Sequence, residues 1–150
     1  MTTALARKIA KDTWDGPRVE KVTASGTTIK PGHFVKVTSA GEINVQATSG
    51  GGDAIMLVLE DKYQGDATTG GGVDKVYAAG VPAEVEYARA GSLRYVRVAT
   101  SQTLVVGDQL IYNGAGALIK TTGTPVRIVA ICEEAITTAS EQLVLARIAS

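Results

Sequence analysis

The amino-acid sequence predicts an all-β protein: a single β-barrel or sandwich domain built from two similar half-domains, with an extended N-terminal arm. The composition supports this class, because 17 of the 150 residues are glycine, only 5% are aromatic, and Val, Ala and Thr are abundant. Such a mixture is typical of short strands joined by tight turns. Alternating apolar and polar segments recur between turn signals. One glycine-punctuated segment occurs twice, at residues 29–48 and 104–121.

The first 17 residues differ from the rest of the chain. They are polar and mixed in charge, lack strand alternation, and end at a turn signal, Asp-Gly-Pro. Within them Leu5 and Ile9 are spaced for one short helical face, and Trp14 is the only tryptophan of the chain. Trp14 either packs back on the body or anchors the arm on a partner. We therefore divide the chain into an arm, residues 1–17, and a β domain, residues 18–150.

The β domain is predicted to contain about ten short strands. They lie in the segments 18–23, 33–39, 42–47, 54–60, 76–91, 93–99, 108–120, 126–134 and 141–150. Residues 54–60 are a continuous apolar run, as expected of a strand that is covered on both faces. In the fifth segment Glu84 and Glu86 alternate with apolar residues, which predicts one solvent-exposed face.

The repeated segment predicts that the two half-domains share one β-meander. A shift of 75 positions places Gly32 on Gly107 and Gly41 on Gly116, and after a two-residue gap residues 54–61 fall on residues 127–134. Gly32 and Gly107 stand where a loop turns into a strand, whereas Gly41 and Gly116 stand in hairpin turns that need positive φ. We expect all four glycines to be structural.

Charge and hydropathy narrow the range of partners. Fifteen basic and fifteen acidic residues give a formal net charge of zero, so no bulk field attracts phosphate backbones or anionic lipid. No segment approaches the roughly 18 apolar residues that a membrane-spanning helix needs. We therefore expect neither nucleic acid nor a membrane as a partner.

The inventory of reactive side chains predicts no catalytic centre. His33 is the only histidine and no G-x-S-x-G motif occurs, so a nucleophile–histidine pair lacks its usual context; we expect His33 at the surface or at an edge. A zinc site would need His33, Cys132 and carboxylates without clustered spacing, so no metal is expected. Cys132, the single cysteine, is predicted to be a small core residue.

Three weaker patterns have simpler structural explanations. The glycine runs at 49–53 and 69–75 do not fit G-x-x-x-x-G-K-[ST], so no nucleotide cofactor is expected. Two adjacent carboxylate pairs could suggest a glycosidase, but neighbours on a strand point to opposite faces and favour polar strand ends. The basic and aromatic segment 87–97 is interpreted as a mixed-charge, solvated strand. The carboxylate pairs are Glu60 with Asp61 and Glu133 with Glu134.

The second half of the chain combines a G-D-x-[LV]-[IV]-[YW] strand, a turn, a short strand, an apolar strand, and a final strand rich in Val, Leu and Arg. In this pattern it resembles the capsid decoration, or head cement, proteins of tailed bacteriophages. The segments 29–48 and 54–61 are similar to the first half of that family. The resemblance spans about residues 19–148 and leaves out the arm.

The resemblance implies a structural virion protein and not an enzyme. Such a protein is made in the host cytoplasm, binds the outer surface of the phage head as a homotrimer, and stabilises the expanded capsid by bridging major capsid protein subunits. No cofactor is implied. The resemblance also implies an arm that lies along the capsid lattice, and our hypothesis is that Leu5, Ile9 and Trp14 of this arm make the contacts. The loop 65–74 is a candidate for contacts within the trimer.

Two other functions remain open from the sequence. One is a tail or head-completion structural protein, in which a tail-tube subunit would carry a long helix against its sheet. The other is a carbohydrate-binding or carbohydrate-active β protein that uses Glu60 or Glu133. The latter needs a cleft with stacking aromatic residues, and the aromatic residues of this chain are few and scattered.

Overall fold

The computed structural model describes residues 17–24, 28–47, 54–59, 76–124 and 127–149. The arm contacts Leu5, Ile9 and Trp14, the pair Glu60 and Asp61, and the loop 65–74 lie outside the described residues. The described residues are all-β. Their strands are β1 (Arg18–Val22), β2 (Phe34–Val37), β3 (Ile43–Val45), β4 (Met56–Val58), β5 (Pro82–Tyr87), β6 (Leu93–Val98), β7 (Thr103–Leu104), β8 (Gln109–Tyr112), β9 (Leu118–Lys120), β10 (Ala130–Cys132), β11 (Ile136–Thr137) and β12 (Gln142–Ile148).

Ten of the twelve strands form two five-stranded sheets with the same internal order, which confirms the prediction of two similar half-domains, and β7 and β11 pair in a small third sheet. The first sheet has the order β1-β5-β4-β2-β3, and the second is a closed barrel in which β6-β12-β10-β8-β9 are joined. The second barrel closes through a parallel pair, Val98 with Leu118. A parallel bridge between Thr23 and Ile43, 75 positions earlier, joins the two ends of the first sheet. We call the two halves barrel 1 (17–88) and barrel 2 (92–149).

Two details of the predicted repeat are wrong. The halves are not meanders, because β1 lies beside β5 and not beside β2. The gap before β4 is one residue and not two, since Gly32 N donates to Val58 O and Gly107 N donates to Cys132 O, both at 2.8 Å. Residues 55–59 are buried throughout, so their hydrophobicity does not reveal a shift of one residue, which exchanges the two faces of a strand.

The burial of β4 on both faces follows from the packing of barrel 1 against barrel 2. Met56 and Val58 point into barrel 1, whereas Leu57 joins the core of barrel 2. Phe34 of β2 packs there as well, with its ring edge-on to Tyr112 at a centroid distance of 5.5 Å. Apolar side chains of barrel 1 therefore extend the core of barrel 2, and hydrophobic burial joins the halves into one packed unit.

The two barrels approach each other closely at Gly32. Its φ is +88°, and a Cβ atom on it would lie 2.5 Å from Leu143 Cδ2 and 3.1 Å from Arg97 Cγ. Gly107, its counterpart in barrel 2, has φ of +96° but no atom within 4 Å of such a Cβ. Gly32 thus meets two constraints, backbone conformation and space, whereas Gly107 meets only the first.

The two glycines provide a matched test of this contact. We expect Gly107→Ala to cost about 1–2 kcal/mol of unfolding free energy, because alanine is strained at positive φ. We expect Gly32→Ala to cost about 1–3 kcal/mol more, because the added methyl group overpacks the junction. Urea unfolding followed by circular dichroism measures both values. Equal losses in the two variants would contradict the close contact between the barrels.

Candidate functional site

The side chains that could carry chemistry gather where barrel 1 meets barrel 2. We call this junction the seam. Its polar side chains are His33 and Glu86 of barrel 1 and Arg94, Arg97 and Glu141 of barrel 2. All except Glu141 are buried, so their hydrogen bonds determine what each can do.

Arg94 and Glu86 form an ion pair with 0% exposure of either side chain. Arg94 Nε donates to Glu86 Oε1 at 2.8 Å and Nη2 donates to Oε2 at 2.7 Å, while Nη1 donates to Leu93 O. This bidentate geometry satisfies both carboxylate oxygens, which is what a buried pair needs to offset its desolvation. The prediction that Glu86 lies on a solvent-exposed face is wrong, because alternation identifies a face but not what covers it.

Arg97 connects the backbones of the two barrels. Its backbone N donates to Gly32 O at 3.0 Å and its Nε donates to Pro31 O at 2.9 Å. Tyr95, two residues earlier, packs with Leu59. The interpretation of segment 87–97 as a solvated strand is therefore wrong for Arg94, Tyr95 and Arg97, which face the seam. Arg94 and Arg97 are therefore not part of an exposed face of the strand.

His33 is buried, with 4% of its surface exposed, so the prediction of a surface or edge position is wrong. Its Nδ1 accepts from Lys30 N at 3.0 Å, which leaves Nε2 to donate to Glu141 Oε1 at 2.7 Å. In barrel 2 the counterpart of His33 is Asp108, whose Oδ2 accepts from Val105 N at 2.8 Å. His33 thus caps a turn as Asp108 does, and its second nitrogen reaches across the seam.

Two of these carboxylates have lowered pKa values. The hydrogen bond from His33 holds the pKa of Glu141 below the ordinary 4.5, against an opposing effect of burial, and the charges of Arg97 and Lys30 act in the same direction as the bond. The hydrogen bond from the backbone N–H of Val105 lowers the pKa of Asp108. Both carboxylates are therefore held in the ionised form, in which they accept the hydrogen bonds just described.

The segment that follows β10 places its reactive groups apart. Cys132 is fully buried, which confirms the prediction of a core residue, and burial raises the pKa of its thiol. Glu133 Oε1 accepts from Arg147 Nε at 3.0 Å, and Glu134 Oε1 accepts from Leu145 N at 2.8 Å. The thiol is disfavoured as a nucleophile, and each carboxylate holds part of β12. Among the described residues no group of three or more His, Cys, Asp or Glu side chains could hold a metal ion.

The described surface offers two places where a partner could bind. The first is β1, which pairs with β5 along its whole length; just after β1, the bridge between Thr23 and Ile43 joins the two ends of the sheet. The second is a set of exposed apolar side chains. Its members are Val22 (39% exposed), Val37 (38%), Val76 (41%), Leu93 (47%), Val105 (54%) and Val106 (62%).

The sequence analysis missed this second set. Val105 and Val106 stand before Gly107 in the second copy of the repeated segment, where the first copy has Lys30 and Pro31. Two adjacent valines at a turn are a signal in the sequence, because two neighbouring apolar side chains gain no stabilisation at a turn that faces only water. Comparison of the repeats residue by residue would have found it.

No family model matches the chain, and no curated protein matches it. In the described residues, no helix is long and apolar enough to cross a membrane.

The Arg94–Glu86 pair predicts a large effect of breaking it. We expect Glu86→Ala to lower the unfolding free energy by about 3–5 kcal/mol, because it leaves the Arg94 charge buried without its counter-ion. The matched control is Glu84→Ala on the same strand, which breaks a partly exposed pair with Arg18 and should cost at most about 1 kcal/mol. Urea unfolding of the two variants checks this. A loss in Glu86→Ala no larger than in the control would contradict a structural role of the pair.

The His33–Glu141 bond predicts a pH-dependent contribution to stability. Because the folded-state pKa of Glu141 lies below 4.5, the bond stabilises the fold above about pH 4.5 and is lost as the pH falls through the folded-state value. The difference in unfolding free energy between the unmodified protein and Glu141→Gln should therefore be largest near neutral pH and decline below about pH 4.5. Urea unfolding across this range measures it.

His33→Asn provides the control for that experiment. Its amide oxygen can cap the turn as Asp108 does in barrel 2, while the reach to Glu141 is lost. In the His33→Asn background the Glu141→Gln substitution should have a much smaller effect at every pH, because only the charges of Arg97 and Lys30 then favour the ionised carboxylate. An unchanged effect of Glu141→Gln in that background would show that the pH dependence does not come from this bond.

Proposed function

We propose that the chain is a structural virion protein that binds the outer surface of a tailed-phage head. In this role it stabilises the expanded capsid by bridging subunits of the major capsid protein, without catalysis. The observation that carries the proposal is that the potentially reactive side chains of the described residues have structural contacts. His33, Glu86, Arg94 and Arg97 join the two barrels to each other, and Cys132 is buried in a core.

The contacts that hold the two barrels together suit a protein that must resist mechanical force. An expanded head carries internal pressure that opens the seams between its subunits, and a bridging protein resists this only if it does not itself yield. The continuous core through Phe34 and Leu57 and the buried Arg94–Glu86 pair couple the halves. Force applied to one barrel is then transmitted to the other through close-packed side chains.

The position of β1 supports the assignment of the arm to capsid contacts. β1 begins at Arg18, immediately after residues 1–17, and it has a sheet neighbour on one side along its length. In this proposal the arm leaves the body at this strand and follows a neighbouring surface. A short extended segment binds an exposed sheet edge by main-chain hydrogen bonds, with occasional apolar side chains for register. In this proposal Leu5, Ile9 and Trp14 are those side chains.

Bridging gives strength through several weak contacts. A body that binds one subunit and an arm that binds the next make the second contact intramolecular, so the combined affinity exceeds that of either contact alone. A homotrimer multiplies the same effect around one axis of the lattice. No reaction is required, because the free energy of rupture rises with the number of contacts that must break together.

Removal of the arm tests the proposal. The protein is mixed with expanded, undecorated heads of the phage that encodes it, and binding is measured by co-sedimentation at increasing protein concentration. The full chain should saturate at a fixed number of copies per capsomer. Deletion of residues 1–15 should weaken binding by about tenfold or more, because one of the linked contacts is lost. Its thermal unfolding should match that of the full chain.

Two triple variants assign the effect to particular side chains. The variant L5A/I9A/W14A should reproduce most of the loss caused by the deletion. The matched control T3A/K11A/T13A changes three polar residues of the same arm and should bind as the full chain does. Undiminished binding after the deletion would refute the role of the arm, and the absence of saturable binding by the full chain would refute the capsid role. The tail and carbohydrate alternatives would then come first.

A further inference from the structure

The contact between barrel 1 and barrel 2 uses different faces of two equivalent bodies. Barrel 1 contributes a turn face, the segment Lys30–Phe34, to the seam. Barrel 2 contributes what we call its sheet face, which combines the outer side of β6 and β12 at Arg97 and Leu143 with Tyr112, a residue of the barrel 2 core at the end of β8. Gly32 lies against Leu143 and Arg97, and Phe34 lies against Tyr112. Because the faces differ, the contact is head to tail, and each barrel retains one equivalent face that the seam does not use.

The unused turn face of barrel 2 is exposed and carries apolar residues. The shift of 75 positions places Lys30 on Val105 and Pro31 on Val106. Pro31 is buried in the seam, whereas Val105 is 54% and Val106 62% exposed. Val105 and Val106 are therefore the two most exposed large apolar side chains of the described residues. They occupy the positions in barrel 2 that are equivalent to Lys30 and Pro31, through which barrel 1 contacts barrel 2.

The unused sheet face of barrel 1 shows the same property. Val22 is the counterpart of Arg97 in the repeat. Val22 pairs with Pro82, and Arg97 pairs with Leu143, so Pro82 is the counterpart of Leu143. Val22 is 39% exposed, and Val37, the counterpart of Tyr112, is 38% exposed. Pro82 is exposed as well. Arg97, Tyr112 and Leu143 are buried in barrel 2. Apolar side chains are thus exposed on both unused faces.

Backbone features of the seam are repeated on the unused faces. Gly107 keeps the positive φ of Gly32 but has open space where Gly32 meets Leu143. Gly116 of barrel 2 lies against Val45 and Phe34 O, whereas its counterpart Gly41 has nothing within 4 Å of a built Cβ. Both unused faces therefore have the turn geometry and the room that close approach requires.

The amide of Val22 is also oriented for the contact. Thr23 N donates to Val81 O, and in an antiparallel ladder the amide one residue away points to the other side of the strand. Arg97 N, in the equivalent position, donates to Gly32 O across the seam. The counterpart acceptor on the unused turn face is Gly107 O.

We propose that copies of this chain associate head to tail, with the turn face of barrel 2 (Val105–Gln109) of one copy seated on the sheet face of barrel 1 (Val22, Val37 and Pro82) of the next. The occupant of each face is a second copy of the chain, because the contact continues an interface that the chain already makes within itself. The proposal goes beyond the proposed function and does not depend on capsid binding. A contact of this kind closes into a ring or extends as a filament; a ring of three chains would carry six barrels around its axis.

The contact between copies should be weaker than the seam. Gln109 stands in place of Phe34 on the turn face, and Glu20 stands in place of Tyr95 on the sheet face. Arg147 takes the place of Glu86, and it forms its ion pair with Glu133 on its own barrel. Less apolar area is therefore buried between copies, and the association should be reversible and depend on concentration.

Complementation between two single variants tests the proposal without phage heads. Val106→Asp disables the turn face and leaves the sheet face intact, while Val22→Asp does the reverse. Sedimentation velocity of the full-length chain over a concentration series should show an oligomer for the unmodified protein. Each variant alone should be monomeric, with an association constant reduced about tenfold or more. An equimolar mixture should form a dimer and nothing larger, because each pair of variants has one intact contact.

The matched control is Val76→Asp, at a valine of similar exposure (41%) outside both faces, which should associate as the unmodified protein does. Circular dichroism checks that the variants fold, and Val105→Asp and Pro82→Asp replace either variant that does not. A monomeric unmodified protein would overturn the proposal. A mixture that stays monomeric would also overturn it. So would loss of association in only one of the two variants, because that result would indicate a two-fold contact in which both copies use the same face.

Discussion

The structure depends on the desolvation of Arg94 and Glu86. Two charges with no exposure to water are stable only while each holds the other, so the pair ties the position of β6 in barrel 2 to that of β5 in barrel 1. The backbone bond from Arg97 to Gly32 and the packing of Phe34 on Tyr112 need the same placement of the barrels. The remaining seam contacts are therefore satisfied together or not at all, which is the condition for a cooperative unit.

The duplication shows how equivalent positions acquire different physical roles. His33 and Asp108 cap the same turn, but only His33 has a second polar atom that reaches the other barrel. Gly32 and Gly107 share a backbone conformation, but only Gly32 is crowded. In each pair the local turn requires the same property of both residues, which is a capping acceptor in one pair and positive φ in the other. Contact with the other barrel adds a second requirement for the barrel 1 residue alone. Residues that look redundant in the repeat therefore differ in their contribution to stability.

The same distinction explains how far the sequence analysis reached. The all-β class and the duplication followed from turn glycines and strand alternation, which are local signals. The burial of His33, Glu86 and Arg94 did not follow, because it depends on which outer face of barrel 1 meets barrel 2. The register of β4 was misplaced by one residue, since residues 55–59 are apolar on both faces. The capsid contacts suggested by Leu5, Ile9 and Trp14 rest on a resemblance and stay predictions.

A repeat that docks on itself head to tail leaves one complementary face at each end. The contact of Pro31 and Gly32 with barrel 2 uses the turn face of barrel 1 and the sheet face of barrel 2. A single chain therefore retains the sheet face of barrel 1 and the turn face of barrel 2. Such faces are either made polar, which keeps the chain monomeric, or left apolar, which favours assembly. Val22, Val105 and Val106 are exposed apolar residues, and polar replacements at these positions would satisfy the local strand and turn geometry equally well. Their apolar side chains therefore favour assembly, and the sheet face to which the next copy would attach includes β1, the strand that follows the arm.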